Sequence, residues 1–183
     1  MAVYHYHSPL GGMTLTGDGN AVTGVWFDGQ KYFGEAGAAN RLAERLSDEE
    51  EPLPEAVAAW LDCYFKGMNP GEMPEVAFPE VSPFRQRVWA LLCRIPYGKL
   101  VTYGDISREI ERETGRRVSA QAVGGAVGHN PISVIVPCHR VIGSDGSLTG
   151  YAGGLTKKMA LLRLEGITPA LLAAEPERFL FEF

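Results

Sequence analysis

Short apolar and polar runs, broken by glycine-rich turns, fill the first thirty residues: Val3 to His7, Ser8-Pro9-Leu10-Gly11-Gly12, Met13 to Thr16, Gly17-Asp18-Gly19-Asn20, and Ala21 to Phe27. This pattern predicts a small antiparallel sheet. Ala36 to Leu46 and Pro54 to Phe65 read as helices, separated by Asp48-Glu49-Glu50-Glu51, an acidic run expected to be a solvated loop. From Gly67 to Pro79 there is too much Pro and Gly for regular structure, which predicts a linker and divides the chain into 1–80 and 81–183.

The second half opens with Ser82 as helix N-cap and Pro83 at the first helical position, followed by Phe84, Val88, Leu91, Leu92 and Ile95 on one face. Thr102 stands three residues before Asp105, an acidic variant of the capping box, and starts a helix that Gly115 ends. Ser119 caps a second helix, Ala120 to Val127, so the pair is a helix-turn-helix candidate, a motif equally at home in purely structural roles. That second helix, Ala120-Gln121-Ala122-Val123-Gly124-Gly125-Ala126-Val127, has almost no long polar side chains. Either its Ala and Gly pack it against the core, or they let its backbone press on a DNA groove without reading sequence. Val134-Ile135-Val136 predicts a short buried strand, with Cys138 at its end.

Composition changes this picture little, and charge changes it more. The 183 residues are 45% apolar and 21% charged, ordinary for a globular chain. No apolar run is long enough for a membrane helix, which predicts a cytoplasmic protein with no membrane partner. Net charge is −5, which by itself disfavours nucleic acid. Its distribution is uneven: residues 1–80 hold 4 Lys and Arg against 13 Asp and Glu (−9), residues 81–183 hold 13 against 9 (+4). Only the second half has the balance expected of a DNA-facing module, although solvated charge without a partner gives the same count.

Three widely spaced cysteines, Cys63, Cys93 and Cys138, suit reduced thiols. Cys63 and Cys93 fall inside predicted helices and read as inert. Cys138 has His139 and Arg140 beside it, the base and positive charge that a reactive thiolate needs, although adjacency in sequence is not contact in space.

Pro137-Cys138-His139-Arg140-Val141, with Ala122 to Pro131 upstream and the Gly150-Tyr151-Ala152-Gly153-Gly154 and Leu164-Glu165-Gly166 blocks downstream, closely resembles the O6-alkylguanine-DNA alkyltransferases, from about Val81 to Gly166. The resemblance implies an α+β fold: a ribonuclease-H-like N-terminal sheet with helices, joined to a mostly helical domain containing the helix-turn-helix. It implies a monomeric DNA repair protein that flips an alkylated guanine, or thymine, out of duplex DNA and moves the alkyl group irreversibly onto Cys138. His139 would be the water-mediated base, Glu165 its orienting carboxylate, Asn130 a structural tie and Tyr103 a donor to the guanine ring. Tyr151 and Ala152 would line the base pocket, with Gln121, Gly124, Gly125 and Arg140 on the DNA-binding side. No cofactor is implied, and no zinc is expected, since His5 and His7 lack nearby cysteines.

Two departures stand out. Gln121 occupies the place where the family often has an intercalating arginine, and Gly143 and Ala152 replace larger or polar residues, which predicts a roomier pocket. Three rival classes are weaker. An alkyl-base binder of the alkyltransferase-like kind lacks the acceptor cysteine retained here. A Cys/His hydrolase would need an oxyanion-hole pattern. A sequence-specific regulator would need more Arg, Asn and Gln on its second helix.

Overall fold

In a computed structural model that describes residues 1–34 and 52–183, the chain is α+β. The predicted helix Ala36–Leu46 and the acidic run after it lie outside the described residues. Strands β1 (Ala2–Ser8), β2 (Gly11–Gly17) and β3 (Val22–Phe27) form an antiparallel sheet in chain order. The turns follow local chemistry. The Ser8 hydroxyl donates to the Gly11 carbonyl, and Gly11 takes φ 115°; at the next turn Asp18 Oδ1 accepts from the Asn20 and Ala21 N–H groups.

Helix α1 (Glu55–Phe65) follows, and then residues 67–79, which contain neither helix nor strand, as expected. This linker is nonetheless docked: the Val22 N–H donates to the Glu75 carbonyl, the Ala77 N–H donates to the Val22 carbonyl, and Phe78 packs on Trp89.

Helix α2 (Pro83–Cys93) is capped by Ser82, whose hydroxyl accepts from the Arg85 N–H. Strand β4 (Val101–Thr102) leads into α3 (Tyr103–Thr114), where the Thr102–Asp105 capping box is complete and Gly115 closes the helix at φ 68°. After a short turn, Ser119 caps α4 (Ala120–Gly128). Ser107 Oγ donates to the Val118 carbonyl and pins that turn. Trp89 Nε1 donates to the Ala126 carbonyl at 2.9 Å, fixing α4 on α2. A 3-10 turn (Cys138–Arg140), β5 (Val141–Ile142, parallel to β4), α5 (Leu155–Leu164), α6 (Pro169–Ala174) and α7 (Pro176–Phe179) complete the chain.

One apolar core runs through both halves, from Met13 and Phe27 through Tyr64 and Trp89 to Val127 and Leu161. The sheet also reaches the second half by backbone: the Val25 N–H donates to the Pro131 carbonyl and the Ser133 N–H donates to the Val25 carbonyl. Strand β3 thus holds the segment leading to Cys138. Among the described residues, no helix is long and apolar enough to cross a membrane.

Candidate active site

The segment after α4 is shaped by one side chain. Buried Asn130 donates from Nδ2 to the carbonyls of Ile132 (3.2 Å) and Val136 (2.9 Å), and its Oδ1 accepts from the Ile132 N–H (3.0 Å). Those backbone groups are then unavailable for a ladder. Val134–Val136 is accordingly a run of turns, not the predicted strand, closed by the Val136 N–H on the Ile132 carbonyl. Val134 takes φ 70°, a left-handed conformation that costs a β-branched residue on the order of 1–3 kcal/mol.

Cys138 therefore opens a 3-10 turn instead of ending a strand, and it is 3% exposed. Burial pushes its thiol up, while the Asn130 amide and the Lys158 ammonium pull the other way. His139 is fully buried, with Nε2 2.6 Å from Glu165 Oε1. A carboxylate only accepts, so Nε2 carries the ring proton. Nδ1 is buried with no hydrogen-bond partner among the described residues, leaving it as the basic nitrogen. Burial pushes the His139 pKa down against the pull of Glu165, so the ring is neutral at physiological pH.

Glu165 caps the end of α5. Burial alone would raise its pKa, but the charges and hydrogen bonds of His139 and Arg140 outweigh that and hold it at about 2. Arg140 Nε donates to Oε2 at 2.9 Å and Nη2 donates to Oε1 at 3.1 Å; the Gly98 N–H adds a 2.9 Å bond to Oε2. Arg140, expected on the DNA-binding side, spends these bonds on Glu165. Nη1 donates to the Ile95 carbonyl at 2.6 Å, and the guanidinium is buried against Glu165.

Tyr103 is the first residue of α3; burial pushes its phenol pKa up, with Cys138 adding to the shift, and its hydroxyl donates to the Thr149 carbonyl at 3.0 Å. Tyr151 is buried, its hydroxyl beside Ser133 without a hydrogen bond of good geometry. The Ala152 carbonyl accepts from the Lys31 N–H, which ties the pocket loop to the turn after β3. Gly143 adds no width: a Cβ there would run into Ser147 Oγ and Asp145 Oδ1, so the turn itself fills the space that glycine leaves. The case for a wide pocket rests on Ala152 alone.

On α4, Val123, Ala126 and Val127 face the core, and Gln121, Ala122 and Gly125 face outward. A Cβ at Gly125 would meet nothing within 4 Å, and one at Gly124 would make an ordinary 3.8 Å contact with Tyr103. Internal packing therefore demands neither glycine. Among the described residues, no group of three or more His, Cys, Asp or Glu is disposed to hold a metal.

Relatives of similar length match most of this chain. Residues 83–167 match the family described as 6-O-methylguanine DNA methyltransferase, DNA binding domain. The chain is 38% identical to the methylated-DNA-protein-cysteine methyltransferase of Haemophilus influenzae, over 89% of this chain and 85% of that one. It is 41% identical to the Mycobacterium bovis protein of the same name, over 88% and 92%. The chain belongs to the methylated-DNA-protein-cysteine methyltransferase family. Among solved structures of that family, Mycobacterium tuberculosis OGT in complex with DNA superposes with a TM-score of 0.71 at 37% identity, covering 94% of this chain and 98% of that one. The O6-methylguanine-DNA methyltransferase of the archaeon Pyrococcus kodakaraensis gives 0.60 at 27%, covering 91% and 99%.

Set beside the family's motif, two groups escaped the sequence reading. Lys158 is buried in α5, its Nζ donating to the Val141 carbonyl at 2.6 Å and the Thr149 carbonyl at 2.8 Å. Burial lowers its pKa to about 8, with the charge of Cys138 acting against that shift. A signal existed, because Lys158 shares its helix face with Leu161 and Leu162, and a lysine on an apolar stripe is out of place. The other is Tyr64, which lies outside the matched 83–167 segment and looks like any core aromatic in its helix.

Proposed function

We propose that this protein repairs alkylated DNA by transferring the alkyl group from guanine O6 in duplex DNA to Cys138 in a single, irreversible turnover. The observation that carries this reading is the buried Cys138-His139-Glu165 series, in which Nε2 is tied to a carboxylate and Nδ1 is left open toward proton transfer. The Cys138 proton passes to His139, through water as in the family, and Sγ attacks the alkyl carbon. The carbon–oxygen bond to guanine breaks, a thioether forms, and the electron pair stays on the base. Tyr103, released from Thr149, donates to the guanine ring, and the proton that left Cys138 returns from His139 through solvent to the guanine anion. The alkyl carbon reaches Sγ only from a flipped nucleotide, at a cost of a few kcal/mol that is lower for a badly paired lesion.

Helix α4 supplies the DNA contact. Gly124 and Gly125, unneeded for packing, let its backbone approach the groove, and Gln121 fills the gap left by the flipped base. Residues 81–183 act as the DNA-binding and acceptor unit and residues 1–80 as its support. The complete site within one chain fits a monomer, and three free cysteines fit the reducing cytoplasm. O4-alkylthymine is the expected second substrate.

Intact and peptide mass spectrometry after incubation with an O6-methylguanine duplex tests this. The expected result is one methyl gain on the Cys138 peptide, absent in Cys138→Ser. Repeated turnover, or a gain on Cys63 or Cys93, overturns it.

A further inference from the structure

The N-terminal half contributes one polar atom to the buried cluster behind Cys138. Tyr64, on α1, is 0% exposed, and its hydroxyl donates to Glu165 Oε1 at 2.7 Å. The phenol oxygen also lies 3.1 Å from His139 Nε2. The directions of these bonds follow from the donors available. The carboxylate accepts from both the phenol and Nε2–H, so the phenol oxygen is left to accept from the same Nε2–H. The ring proton of His139 therefore sits between two acceptors, one on α5 and one on α1. Packing holds the phenol there: the Tyr64 ring meets His139 at 74° and Tyr97 at 83°, edge to face, and stacks on Trp60. A residue needed only to fill this space would do so as phenylalanine, without placing a hydroxyl between the two groups.

We infer that Tyr64 is a positioning residue for alkyl transfer, its phenol holding Nε2 of His139 as donor and Nδ1 as the nitrogen that receives the Cys138 proton. This rests on the transfer reading above. The charged groups facing His139 are Glu165, Arg140 and Lys158, none of which can accept from Nε2–H except Glu165. By sharing the charge of Glu165, the phenol also limits how strongly that carboxylate holds an imidazolium.

The test is single-turnover transfer by Tyr64→Phe across pH, with duplex affinity measured alongside. The transfer rate is expected to fall about tenfold, the scale of one hydrogen bond to a charged group. Affinity should stay unchanged, and the acidic limb of the rate profile should move to higher pH as Glu165 holds the imidazolium more tightly. Parent-like rates, or a slower rate with an unshifted profile, overturn the inference and leave Tyr64 as packing. If Tyr64→Phe fails to fold, 3-fluorotyrosine at position 64 replaces it: the more acidic phenol should move the acidic limb to lower pH, and an unmoved limb overturns the inference. Failure of the unmodified protein to methylate Cys138 strikes the underlying reading instead.

Discussion

Cys138 lies ten positions after the end of α4, yet the outward face of α4 and the cluster behind the thiol are built oppositely. Behind Cys138, a carboxylate, an imidazole, a guanidinium and a phenol are buried together, and Glu165 alone accepts bonds from Tyr64, His139, Arg140 and Gly98. Such a cluster does not tolerate losing the partner of a buried charge, because each charge is solvated only by the others. The face of α4 is nearly bare: Ala120, Gln121, Ala122 and Gly125 expose little beyond backbone and one amide. Where the proposed transfer must be directional, polar side chains are held by buried partners; where the proposed DNA contact must serve any sequence, long side chains are nearly absent.

The sharpest way to break this contrast is to take one member from the buried cluster. Glu165→Ala leaves Arg140 buried without its counter-charge and should cost about 3–5 kcal/mol, read as a lower urea midpoint, with transfer lost as well. An unchanged midpoint would mean that the cluster is less dependent on each member than its geometry indicates. His139→Gln should keep the fold and slow transfer by about a hundredfold or more, the scale of a general base, in single-turnover assays.

Acid should act on the same cluster in two stages. His139 has a folded pKa depressed by burial below 6.5, so the unfolded chain binds protons that the folded chain does not, and stability falls as pH drops below about 6.5. Glu165, depressed to about 2 from 4.5, adds a second loss as pH falls through that lower window. Urea midpoints at successive pH values should show both, and His139→Gln should lack the first.

The smallest expected effect lies on α4. Gly125→Ala should raise stability by about 1 kcal/mol through helix propensity while weakening duplex binding equally across sequences, measured by anisotropy on several oligonucleotides. Tighter binding would show that the bare face is not pressed against DNA.

The two regions were unequally legible in the sequence. Caps and turns at Ser82, Thr102, Gly115 and Ser119 are local chemistry, and each is where the sequence placed it. Cys138, His139 and Glu165 were chosen from the family blocks, and the structure brings them into one buried series. The strand assigned to Val134–Val136 failed because an apolar run carries no information about Asn130 claiming its backbone. Arg140 shows a related limit: a basic residue beside a nucleophile reads as a surface cation until its counter-charge, 25 positions away, is seen. Tyr64, 101 positions from Glu165, gave no local sign at all.

The hydrogen bond from Trp89 to the Ala126 carbonyl gives α4 an optical reporter. An indole whose N–H ends on a backbone carbonyl of α4 changes its emission when that carbonyl shifts, whereas Trp26 lies in β3 and Trp60 in α1. With Trp26 and Trp60 replaced by phenylalanine, fluorescence from the remaining tryptophan would follow docking of α4 on duplex DNA in real time, separately from the slower arrival of the alkyl group on sulfur.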